Sequence, residues 1–162
     1  MKRVLTFWVA MLVMTIAVSP APATAQTETS VTVGAAGTFP TGAAFSGVPL
    51  NGLRVGLGLT ITGDGSAAGD FQTTLLGTSV LGQPQEIVVE GKASRGSGPA
   101  AGTATFSGTC RINMGDGTPW ILSIPFTVAV AATADDKGTL TLTLGTNNLP
   151  AATITEGSMA IK

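Results

Sequence analysis

Leu53-Arg54-Val55-Gly56-Leu57-Gly58-Leu59-Thr60-Ile61-Thr62 is the stretch that decides the fold class of this chain. Leu53, Val55, Leu57, Leu59 and Ile61 share one parity. Arg54, Gly56, Gly58, Thr60 and Thr62 share the other. Successive side chains of an extended strand point to opposite faces, so this pattern sets an aliphatic face against a core and a small, polar face outside. A helix would scatter the same residues around its circumference. The outer-face glycines mark either a bend or a place where another backbone comes close.

The same alternation recurs downstream. In Thr103 to Ile112 the inward set is Ala104, Phe106, Gly108, Cys110 and Ile112, and Asp116-Gly117 then signals a tight turn. Pro119 to Val130 follows, with Trp120, Leu122, Ile124, Phe126, Val128 and Val130 on the inward parity. Pro125 falls on the other face and, lacking an N–H, implies an edge, a bulge or a kink. Asp135 to Gly138 turns the chain into Thr139 to Leu144, and Asn147 to Pro150 turns it again into Ala151 to Ile161, where Gly157 marks a bulge. Residues 103–161 therefore read as a four-stranded antiparallel meander. Thr29 to Val33, Phe71 to Leu76 and Glu86 to Lys92 are shorter strands, and residues 34–51 are rich in Gly and Pro without clear alternation. About eight strands at this spacing predict an all-β fold. An antiparallel β-sandwich is the expected architecture, with a small closed β-barrel as the alternative.

The leader sets the compartment. Lys2 and Arg3 precede an uncharged apolar run from Val4 to Val18, Ser19-Pro20 breaks it, and Ala23-Thr24-Ala25 presents small residues for cleavage. This is the pattern of a cleaved signal peptide over residues 1–25, with a single all-β domain over residues 26–162 and a secreted or periplasmic destination. The run is shorter than the roughly 20 apolar residues of a membrane-spanning helix. No transmembrane segment is expected after cleavage.

Composition excludes more than it includes. The 162-residue chain has no histidine, so Ser-His-Asp and Cys-His catalysis and the usual histidine zinc sites cannot be built. Its formal net charge is −1, and the bases beyond the leader (Arg54, Lys92, Arg95, Arg111, Lys137, Lys162) are scattered, which leaves no footprint for nucleic acid. With one cysteine there is no intramolecular disulfide, so the domain must be held by its apolar core. Cys110 shares the inward parity with Phe106 and Ile112, while Arg111 points the other way; a buried, inert thiol is expected. The outer membrane barrel needs aromatic girdles, and the chain has no tyrosine and two tryptophans.

Three function classes remain. The first is an exported non-enzymatic β-domain, a structural or interaction protein of the cell surface, with Thr29 to Val33 and Ala151 to Ile161 as edges open to strand addition by a protein partner. The second is a module that binds a surface glycan or calcium through loops 63–70 and 113–118. Asp64, Asp70 and Asp116 are the candidate calcium ligands, though Asp-Gly is also what tight turns use. Trp120 is expected in the core, which leaves Phe39 and Phe45 as candidates for an exposed sugar contact. The third class is a carboxylate-dependent hydrolase. Glu86 and Glu90 share a strand face, but four residues separate them by about 13 Å, beyond the roughly 5–9.5 Å of glycosidase pairs.

Overall fold

The computed structural model describes residues 28–100 and 102–162. The expected leader and its cleavage after Ala25 lie outside the described residues. The described chain is all β: β1 (Glu28–Thr38), β2 (Ala44–Phe45), β3 (Val48–Thr62), β4 (Ser66–Thr78), β5 (Pro84–Ala100), β6 (Thr103–Asn113), β7 (Ile121–Ala132), β8 (Gly138–Leu144), β9 (Asn147–Asn148) and β10 (Ala152–Ile161). The strands form one antiparallel sheet in the order β1-β10-β8-β7-β6-β5-β4-β3-β2, with β9 pairing β8. The meander expected over residues 103–161 is present as β6, β7, β8 and β10.

β1 is paired on both sides. It runs against β3 from Glu28↔Thr62 to Thr38↔Gly52, and against β10 from Val31↔Ile161 to Thr38↔Thr153. The ladder thus returns to the strand from which it starts. Neither segment expected to be a free edge is one. Thr29 to Val33 lies between two neighbours, and β10 is engaged along β1 and, over Ala152–Ile154, along β8. Beyond Ile154 the β7–β8 turn takes over: Met159 donates its N–H to the Asp136 carbonyl, and Lys137 Nζ donates to the Gly157 carbonyl.

The parity read from residues 53–62 is the burial pattern of β3. Leu53, Val55, Leu57, Leu59 and Ile61 are buried, and Arg54, Gly56 and Gly58 are exposed. The inward sets of the other long strands join the same core. Two buried polar side chains, Thr29 and Thr73, donate to the carbonyls of Gly98 and Arg54, and no buried side-chain N or O among the described residues lacks a partner. A core satisfied in this way can exclude water without leaving an orphan polar group.

Three phenylalanines fill the middle. Phe126 of β7 stacks on Phe71 of β4 with centroids 5.2 Å apart, although β5 and β6 lie between those strands in the sheet. Phe106 meets both rings edge-on. The Phe126 ring crosses a notch left by Gly91, where a Cβ would stand 2.7 Å from Phe126 Cε1 and 2.9 Å from Cys110 Cβ.

Several side chains depart from the expected placement. Phe39 and Phe45 are buried, so neither offers a surface contact. In β7 the pairing with β6 passes from Cys110↔Ile124 to Ile112↔Ile121, so Leu122 and Ser123 together oppose Arg111. This is a β-bulge, two residues before Pro125, and the extra residue inverts the faces beyond it. Leu122, expected inside, is 65% exposed. Trp120, also expected in the core, is half-buried on the outside with the Arg111 guanidinium 4.7 Å from its ring centroid. A second irregularity skips Thr155 between Ala36↔Glu156 and Gly37↔Ile154, close to the expected bulge at Gly157, whose φ is +83°.

Candidate functional site

The three aspartates read as calcium candidates do not converge. Asp64 sits in the β3–β4 turn at one end of the sheet, Asp116 in the β6–β7 loop at the opposite end, and Asp70 within β4 between them. Among the described residues no group of three or more Cys, Asp or Glu side chains is placed to hold a metal. Asp64 and Asp116 have local work instead. Asp64 Oδ1 accepts from Thr62 Oγ1 and from the Ser66 N–H, and Asp116 Oδ1 accepts from Thr118 Oγ1 and the Thr118 N–H. Thr133 Oγ1 donates to Asp135 in the same manner. These bonds stabilise the ionised form, so all three carboxyls are held below their usual value, chiefly by the threonine hydroxyl in each case.

Asp70 belongs to a different assembly. On the outer face of β4 to β7 lies an open dish of about 480 Å³. Its polar lining comes from outward positions of four consecutive strands: Asp70 and Gln72 of β4, Glu90 and Lys92 of β5, Thr109 and Arg111 of β6, and Ser123 of β7. The register brings them together. Asp70 faces Lys92, Lys92 faces Thr109, Gln72 faces Glu90, and Glu90 faces Arg111. Phe71 and Cys110 alternate with these residues and point into the core, so the dish and the core are two sides of the same strands.

Within the dish one pair is already joined. Arg111 Nε and Nη2 donate to Glu90 Oε2 at 2.8 and 2.6 Å, while the guanidinium lies over Trp120. A cation–π contact plus two charge-assisted bonds orient the arginine. The side chains of Asp70, Gln72, Lys92, Thr109 and Ser123 make no hydrogen bond or ion pair with any other described residue. The turn aspartates are consumed by the fold; these five groups are not.

Ser123 carries the strain of the site. Its φ is +59°, a left-handed value, and it falls inside a strand, whereas the other non-glycine residues of this kind, Ser46 and Asp136, lie in turns. Such a conformation costs on the order of 1–3 kcal/mol and recurs at binding and catalytic sites. Here the one bulge has two consequences: it places Ser123 on the rim of the dish and turns Leu122 out beside it.

Of the residues lining the dish, the sequence marks only Asp70 as a candidate ligand. Glu90 enters as half of a carboxylate pair on one strand. The others are invisible as a group, because cross-strand register is not encoded in any local run. One local signal is present: Trp120-Ile121-Leu122 sets apolar residues on both parities, which an alternating strand does not need.

Cys110 lies under the dish, buried, with its thiol pushed up to about 11 by desolvation. A thiol in that state is protonated and a poor nucleophile. Comparison with protein-family models, with curated proteins and with solved structures found no match.

Proposed function

We propose that this chain is an exported, non-enzymatic binding protein built as a small closed β-barrel, and that it takes its ligand in the dish over β4 to β7. The double pairing of β1 supports the barrel in preference to two stacked sheets. The apolar set faces the interior, and Thr, Gly, Ser and charged residues face out, which suits an aqueous exterior rather than lipid. The apolar run ahead of Ala25 supports export.

The observation that carries the binding reading is the set of five polar side chains around one concavity with no partner among the described residues. With both would-be edge strands engaged, strand addition loses its template, and the interaction surface moves from an edge to a face.

A carboxylate hydrolase is the second reading, because Asp70 and Glu90 are diagonal neighbours on adjacent strands and line the same dish. Diagonal cross-strand positions lie about 7–8 Å apart, within the range of paired carboxylates. The Glu90 oxygen, however, already holds two Arg111 donors, so the pair is not free to act together. Binding is therefore the preferred reading.

The test is thermal shift of the exported protein against a panel of oligosaccharides, free amino acids, short peptides and nucleotides. A rise in Tm with at least one class, lost in the Gln72→Ala/Lys92→Ala variant, is expected. No shift with any class, or a shift unchanged in the variant, refutes the dish as a binding site. Cleavage of a panel member that Asp70→Asn abolishes would transfer the protein to the hydrolase class. N-terminal sequencing of the exported protein should begin at Gln26.

A further inference from the structure

The groups lining the dish also constrain the class of ligand, on the premise that the dish is a binding site. We infer that it takes a neutral saccharide, lying across β4 to β7 with its hydroxyls on the polar floor and a C–H face against Leu122.

Charge is the first argument. Asp70 and Glu90 are balanced by Lys92 and Arg111, and Glu90 and Arg111 are already compensated by one another. The unpaired Asp70 and Lys92 face each other with opposite sign. An ionic ligand would meet one partner and one repulsive neighbour at similar range. A hydroxyl-rich neutral ligand meets no charge repulsion, and its hydroxyls can donate to Asp70 and accept from Lys92.

Spacing is the second. The free groups stand on neighbouring strands: Asp70 beside Lys92 beside Thr109, with Gln72 one outward position along from Asp70. Strands lie about 4.8 Å apart. That interval is close to the width of a pyranose ring, so consecutive ring substituents can reach consecutive strands. Gln72 and the two hydroxyls supply both donors and acceptors, which a ligand with only one kind would leave unpaired.

The apolar rim is the third. Sugars have C–H faces as well as hydroxyl edges, and they need both kinds of surface. Leu122 is 65% exposed and directly precedes Ser123, which lines the dish. Trp120 is half-buried behind it, under the Arg111 guanidinium that lines the dish. The bulge turns Leu122 to the outer face, on the same side as Arg111. On the β3 side the floor continues past Asp70 and Gln72 as the bare backbone of Gly58 and Gly56, which leaves open space for a longer chain.

The test uses arrays and calorimetry with neutral gluco-, xylo- and chito-oligosaccharides, alongside glycine, a tripeptide and AMP as non-saccharide probes. The exported protein should bind at least one neutral oligosaccharide. Gln72→Ala and Lys92→Ala should each weaken it about tenfold, as expected for loss of one hydrogen bond in a polar site. Leu122→Ser, which changes only the apolar rim, should weaken the saccharide by a similar factor. All three positions lie on the outer face, so an unchanged melting curve for each variant separates lost contacts from lost fold. Binding of the tripeptide or AMP in place of saccharide, abolished by the dish variants, overturns the saccharide assignment and leaves the dish as a binding site. Saccharide binding indifferent to all three variants overturns both.

Discussion

Gly91→Ala probes the interior where it is tightest. The added methyl would stand 2.7 Å from Phe126 Cε1, 2.9 Å from Cys110 Cβ and 3.1 Å from the Thr109 carbonyl oxygen. Two of these contacts are shorter than side chains sustain, and the Phe126 ring cannot retreat freely because it stacks on Phe71. Overpacking of this kind costs about 1–3 kcal/mol. Alanine also restricts the unfolded chain, which returns about 0.4–1 kcal/mol. The net expectation is a loss of about 1–2 kcal/mol, or roughly 3–5 °C of Tm per kcal/mol for a domain of this size. Phe126→Leu alone should cost a further ~1–2 kcal/mol by trimming the ring. In the double variant the leucine vacates the space that the methyl needs, so the two losses should not add. Urea denaturation of the four proteins gives the coupling, expected to favour the double variant by about 0.5–1 kcal/mol. A Gly91→Ala protein as stable as the parent, or two losses additive within about 0.3 kcal/mol, would refute the packing of Phe126 over Gly91.

Gly58→Thr should do the opposite: its Cβ position is open, its φ is not left-handed and its face is exposed, so a gain of about 0.5–1 kcal/mol in urea is expected, and a loss would mean that the outer face of β3 is not open. Cys110 should react with a thiol reagent at mildly alkaline pH roughly two orders of magnitude more slowly in the native protein than in urea, given burial and a thiol raised to about 11; equal rates would place it at the surface. Asp116, Asp64 and Asp135 have folded values depressed below 3.8, so each contributes stability present above that value and lost as pH falls through the folded one. Carbon NMR titration should show the Asp116 carboxyl moving up toward 3.8 in Thr118→Val, and an unchanged low value would mean that the hydroxyl is not the cause.

Parity is legible where burial has a simple consequence. Leu53 to Ile61 must face inward because nothing else hides five aliphatic side chains on one strand, and Cys110 goes with Phe106 and Ile112 for the same reason. The limits appear at Leu122 and Trp120. A bulge costs one residue of register and inverts every face beyond it, and no sequence period records where the extra residue is placed. The expected edges at Thr29 to Val33 and Ala151 to Ile161 fail for a related reason: whether a terminal strand is free depends on which strand it meets in space. The calcium reading rests on Asp-Gly turns, and the turns use Asp64 and Asp116 for their own threonines.

By itself, then, the amino-acid order determined an antiparallel all-β chain, the inward identity of most core residues and the chemistries that a histidine-free protein cannot perform. Those come from local rules: side-chain alternation, turn residues and the functional groups present. Tertiary structure alone decided that β1 joins β3 to β10, that Phe126 reaches Phe71 over a glycine notch, and that Asp70, Gln72, Lys92, Thr109 and Ser123 share one dish. Each of these is a relation between distant strands, set by register and, for Ser123, by the bulge in β7, and register is fixed by packing the whole core at once rather than by any one segment.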